Sequence, residues 1–326
     1  MVGAERRSVA EACARVKTPP ASVLVTGASG LLGANAVSVG AQRPLAVIAA
    51  SRRALFAPEG VHAVGLDIQD ETRVSDVLRT LQPAWVLHCA ALTDVDACER
   101  DPERAHHINA RATRSLAEAA RDVGARVLYV STDSVFDGQR GGYEESAPPS
   151  PINEYARSKL AGEEAVLAVS ASNLVVRTNL YGWNAQPKKS LAEWVLGRLE
   201  SGLEVPGFTD VVFAPLEAST LSGLLFDMMD RNLSGLYHLG SANAVTKYAF
   251  AQLVADAFGF DLNHVLSASV ADVSFAAPRP RNTSLDSARC ANALGRSLPT
   301  VAEGVRTMRD LQDAGWRATL KATVQP

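Results

Sequence analysis

The chain has 326 residues, 47% of them hydrophobic and 21% charged, with a formal net charge of -3. That length can bury a large core and build two lobes of unequal size, and a charge so close to neutral argues against nucleic acid or another polyanion as partner. The four cysteines, Cys13, Cys89, Cys98 and Cys290, lack metal-ligand spacing, so no metal is expected and a reduced, cytoplasmic setting is.

Residues 1–20 read as a partly helical N-terminal extension. Arg6-Arg7 is not followed by an apolar run, and Glu5 and Glu11 interrupt the stretch, so it does not read as a twin-arginine leader. Nowhere does the chain approach the roughly 18 apolar residues of a membrane helix. No internal repeat is visible.

From Ser22 onward short apolar runs alternate with longer amphipathic ones, the pattern of a parallel sheet covered on both faces. Strands are expected at Ser22 to Thr26, Leu45 to Ala50, His62 to Gly65, Ala84 to Cys89, Arg126 to Ser131 and Leu174 to Arg177. Helices are expected near Leu31 to Val39, Glu71 to Leu81, Pro102 to Asp122 and Asn153 to Val169, with a long surface loop from Asp137 to Pro151. The fold class is therefore α/β, a doubly wound parallel sheet of Rossmann type with a smaller α+β substrate lobe. Residues 21–178 form the dinucleotide-binding domain and 179–326 mainly the substrate lobe, partly interleaved with the first. In the latter, helices near Ser190 to Ser201, Pro215 to Asp230 and Thr246 to Phe258 alternate with short apolar pieces such as Gly235 to Leu239.

Directly after the first strand, Gly27-Ala28-Ser29-Gly30-Leu31-Leu32-Gly33 spaces three glycines as G-x-x-G-x-x-G and opens the first helix. Such a turn lets backbone N–H groups and the positive helix end approach a pyrophosphate. At the end of the second strand, where an acid would bond the ribose 2′-hydroxyl of NAD, stand Ser51-Arg52-Arg53. Guanidinium groups can clamp a 2′-phosphate, so NADPH is favoured and NADH stays the alternative.

Tyr155 and Lys159 lie four residues apart near a helix start and share one face. A nearby ammonium favours the phenolate and brings the tyrosine toward the range of an acid/base. The fifth strand ends in Ser131-Thr132-Asp133, hydroxyls and a carboxylate at the sheet edge where open α/β folds place ligands. Either hydroxyl could bond the reacting oxygen. Asn109, a poor helix former inside an amphipathic helix, could open a turn for a proton-relay water.

At these residues the chain resembles the extended short-chain dehydrogenase/reductases, most closely the dTDP-4-dehydrorhamnose reductase branch. The resemblance rests on Thr26 to Gly33, Cys89 to Asp96, Ser131 to Gly138, Tyr155 to Glu163 and Arg279 to Asp286, and spans nearly everything after Ala21. It implies a catalytic set of Thr132, Tyr155 and Lys159 with Asn109 as helper. Ala90, Ala91, Leu92 and Thr93 would line the cofactor, and Asp67 and Ile68 would flank its adenine. Asp133, Val135 and Phe136, together with Asn179, Trp183, Arg279 and Asn282, would face the sugar or its nucleotide. An arginine in the second lobe also suits a diphosphate on chemical grounds, because its planar fork bonds bidentately. Two departures bear on the sugar: Ser134 stands where many such reductases have a tyrosine, and Leu216 where a threonine hydroxyl is usual.

The activity this implies is reduction of a nucleotide-linked keto-sugar of the dTDP-4-keto-6-deoxysugar type, with hydride to the ketone and Tyr155 as proton donor. Two alternatives share the motifs: an epimerase or dehydratase that keeps its NAD bound, and a non-catalytic dinucleotide-binding subunit like the beta subunit of methionine adenosyltransferase, which the chain also resembles. The expected partner is a nucleotide-sugar substrate, with no membrane, and the chain could pair as a homodimer.

Overall fold

A computed structural model describes residues 22–52 and 58–322. The N-terminal extension expected over residues 1–20, and Arg53, lie outside the described residues.

Seven parallel strands make the central sheet: β1 (Ser22–Thr26), β2 (Ala46–Ser51), β3 (His62–Gly65), β4 (Trp85–His88), β5 (Arg126–Thr132), β6 (Leu174–Thr178) and β7 (Gly235–Leu239). Their spatial order is β7-β6-β5-β4-β1-β2-β3. Central strands such as Val23-Leu24-Val25 and Leu174-Val175-Val176 are buried on both faces, which is why they read as unbroken apolar runs rather than alternating ones. The order reverses between β1 and β4, and the crevice beyond the carboxyl ends of these two strands is where such sheets bind ligands.

The second lobe has its own core, with Tyr181, Trp183, Leu196, Phe213, Phe250 and Met308 among its buried members. The chain after residue 178 is shared between the lobes. β7 joins the main sheet beside β6, and the helix Ala218–Asp230 packs on the first helix, Leu31–Gly40. Beyond it lie Ala288–Leu294, Val301–Asp313 and Trp316–Ala322, C-terminal helices that the sequence reading did not place.

The helix expected over Pro102 to Asp122 is built in three pieces: Pro102–His106, a π turn at His107–Arg111, and Ala112–Asp122. The wider turn falls on Asn109, whose side chain bonds backbone outside its own helix. The loop Asp137 to Pro151 is anchored at Tyr143, which stacks on Phe136 with ring centroids 4.1 Å apart and bridges to Leu285. Among the described residues, no helix is long and apolar enough to cross a membrane.

Candidate active site

A cavity of about 560 Å³ opens at the reversal point of the sheet. Gly27, Ser29, Gly30, Leu31, Leu32 and Gly33 line one end of it. Gly27 has φ +65°, and a Cβ there would sit 2.8 Å from the Ala90 nitrogen, so only glycine lets this turn pack under the end of β4. The helix that follows begins at Gly30 without a side-chain cap and without an acidic residue in its first turn. Its N–H groups and positive end are therefore left for an anion.

The rest of the wall follows the chain along the sheet edge. Ser51, Arg52, Asp67 and Ile68 line the β2–β3 side. The Asp67 carboxylate is held by the Gln69 backbone N–H at 3.1 Å. Ala90, Ala91, Leu92 and Thr93 form the middle, and Ser131, Tyr155 and Lys159 the far end. The cavity thus gathers every described residue expected to hold a dinucleotide. A segment that sequence reasoning missed closes the cavity from the second lobe: Asn184, Lys188, Lys189 and Ser190 line it, and Lys188 Nζ reaches Thr93 Oγ1 across the cleft at 3.5 Å. With Arg52, Arg104 and Lys159 the wall carries several cations against the one carboxylate of Asp67, the charge balance that a polyphosphate needs.

Tyr155 and Lys159 stand on the helix Glu154–Val169, which Asn153 caps by accepting the Ala156 N–H at 2.9 Å. Burial pushes the Tyr155 phenol well above its usual range, opposed by the nearby Thr132 hydroxyl and reinforced by Asp133 and Cys98. At neutral pH Tyr155 therefore holds its proton. Burial lowers Lys159 to about 7, with Glu163 and Cys89 pulling it back up. Its ammonium donates to the Val130 carbonyl at 2.8 Å and lies 3.9 Å from the Tyr129 ring centroid.

The two hydroxyls at the end of β5 are also told apart. Ser131 donates to Glu163 Oε1 at 2.5 Å, in a buried pair where Arg177 clamps the same carboxylate at 2.7 Å. Thr132 is the one beside Tyr155. Asn109 departs from the expected water relay: its amide accepts from Leu92 N–H at 2.8 Å and donates to Leu92 O and to Ser158 Oγ, both at 3.0 Å. The side chain ties the cavity wall at Leu92 to the helix of Tyr155, so its role in the structure is to position both.

On the substrate side most of the expected residues face each other rather than a cleft. Asp133 is buried and accepts from Asn179 at 2.9 Å, Thr283 at 2.5 Å, and Thr132 and Ser134 at 3.2 Å each. Val135 and Phe136 are fully buried in a small cluster with Tyr143 and Leu285. Trp183 is 1% exposed, and its indole donates to the Met308 carbonyl at 2.8 Å. It is thereby turned into the core of the second lobe, away from a sugar. Asn282 bonds Arg140 O and Ser284, joining two loops. Arg279 pairs with Asp96 at 2.9 Å, while its Nη1 is buried without a partner. Beside Asp133, Lys247 carried no sequence signal beyond a lone charge at a helix start, and Thr283 only its place in the Arg279 to Asp286 stretch.

With this geometry in view, the chain matches the family model of the RmlD substrate binding domain over residues 21–313. It is 36% identical over 290 residues to the probable low-salt glycan biosynthesis reductase Agl14 of Haloferax volcanii, covering 87% of this chain and 96% of that one. It is also 32% identical over 312 residues to methionine adenosyltransferase 2 subunit beta of Bos taurus, covering 90% and 86%. Among solved structures, the dTDP-4-dehydrorhamnose reductase of Bacillus anthracis, in complex with NADP, superimposes with a TM-score of 0.80 at 28% identity, covering 90% of this chain and 98% of that one. Sheet, glycine turn and family match agree, and the chain belongs to the RmlD substrate-binding domain family.

Proposed function

We propose that the protein is an NADPH-dependent reductase of a nucleotide-linked keto-sugar. The observation that carries this reading is that Tyr155, held protonated by burial, lines the cavity opened by the glycine turn together with Lys159. The NADP in the Bacillus anthracis structure and the reductase relative in Haloferax volcanii support it.

The uncapped helix start behind Gly30 and the Lys188 side chain would hold the pyrophosphate, and Arg52 the 2′-phosphate. When bound, the dinucleotide supplies the hydride that the ketone carbon needs. Thr132 would turn its hydroxyl from Asp133 to the ketone oxygen and orient it. Tyr155 would pass its proton to that oxygen as negative charge develops there, yielding the alcohol. Lys159, near neutrality and under the same strand, would reload the proton or bond the cofactor ribose. Exclusion of water by the 184–190 segment would strengthen each of these contacts.

Keto-sugars carried on dTDP, UDP and GDP, offered with NADPH and then NADH, test the reading through the fall in reduced-nucleotide absorbance. Turnover with one sugar and a preference for NADPH is expected. Protein that retains stoichiometric NAD and consumes no NADPH would instead mark an epimerase or dehydratase. Co-purification with a larger enzyme and no turnover at all would mark a subunit role like that of the bovine relative.

A further inference from the structure

Lys247 opens the helix Lys247–Ala257, directly after the N-cap Thr246. Three backbone links fix where it stands. Its N–H bonds Val211 O at 2.9 Å, Thr283 N–H bonds Val212 O at 3.1 Å, and Thr283 Oγ1 bonds Asp133 at 2.5 Å. The ammonium lies 3.3 Å from the Phe213 ring centroid and within electrostatic reach of Asp133, the residue after Thr132. Burial lowers it to about 8 and Asp133 draws it back up.

Among the described residues its Nζ makes no hydrogen bond and no ion pair. Asp133 does not complete it, because the four donors named above occupy that carboxylate. Two other inward-facing cations are satisfied, Arg177 by Glu163 and Lys159 by Val130 O. A half-buried ammonium resting on an aromatic face, with three donors and no acceptor, is suited to oxygens brought by a ligand.

Resting on the reading of a nucleotide-sugar site, we propose that Lys247 is a specificity residue of the second lobe, donating hydrogen bonds to oxygens of the sugar ring beside the carbon held at Thr132.

Calorimetry on the NADP-saturated protein tests this without turnover, by comparing dTDP-, UDP- and GDP-glucose each with its own free diphosphate. Wild type should prefer one nucleotide sugar to its diphosphate by about tenfold, the worth of a charged hydrogen bond. Lys247→Met should erase that preference while leaving the diphosphate affinity, the NADP affinity and the melting temperature unchanged, and Lys247→Arg should keep part of it. A preference that survives in Lys247→Met, equal loss of diphosphate binding, or a wild type that distinguishes none of the pairs would overturn the assignment. Failure of the keto-sugar assay alongside an intact, Lys247-dependent preference would count against the reductase reading alone.

Discussion

The cofactor side and the substrate side of the site are built by opposite means. On the cofactor side, a turn of backbone and a row of strand ends surround a 560 Å³ cavity with donors and cations still to be used. On the substrate side, Asp133, Asn179 and Thr283 are bonded to one another, Trp183 to Met308 and Arg279 to Asp96. The first is preorganised for a ligand that is the same whatever the sugar. The second is cross-braced, so the groups left to read a sugar are few, with Lys247 and the Nη1 of Arg279 among them. On the proposed reading, positions that hold the lobes together and positions that select a substrate are different residues.

Substitutions at the junction of the two regions should have the largest effect. Tyr155→Phe removes the proton donor and should cost roughly 10²–10⁴-fold in kcat, with NADPH affinity unchanged by fluorescence titration. Undiminished turnover would break the assignment. Asp133→Ala strips the brace of its acceptor and should lower stability by about 1.5–3 kcal/mol in urea titrations. If Asp133 instead served only the sugar, stability would hold and KM alone would rise.

A pH series sharpens the cofactor side. Lys159 titrates near 7 when folded and near its ordinary value of 10.5 when unfolded. Between those values the unfolded chain binds the extra proton, so stability should climb with pH from about 7 upward, at up to about 1.4 kcal/mol per pH unit. Lys159→Met should flatten that climb in urea midpoints. Arg52→Ala should have the smallest effect, because an exposed guanidinium adds modestly. It should narrow the NADPH preference about fivefold without touching stability.

The same contrast explains what was legible in the sequence. The glycine turn, the strand ends at Ser51, Ala90 and Ser131, and the Tyr155–Lys159 spacing are short-range patterns, and local chain geometry alone brings them to one edge of the sheet. The substrate side depends on partners far apart in the chain. Nothing near Trp183 signals that its indole finds a carbonyl at Met308, and nothing near Asp133 names Thr283. Asn109 was legible as an irregularity, but its use was not. A π turn that aims an amide at Leu92 depends on the neighbouring loop, not on the helix that carries it.

The central claim is that a proton from Tyr155 accompanies a hydride to a sugar ketone, and isotope transfer tests it most directly. With NADPH deuterated at the reactive nicotinamide carbon and the keto-sugar that gives turnover, mass spectrometry of the product should find one deuterium on the new carbinol carbon, and roughly a hundredth or less of that labelled product in a reaction with Tyr155→Phe stopped at the same time. A reduced or rearranged sugar carrying no deuterium, or oxidation of NADPH without a labelled sugar, would contradict the account.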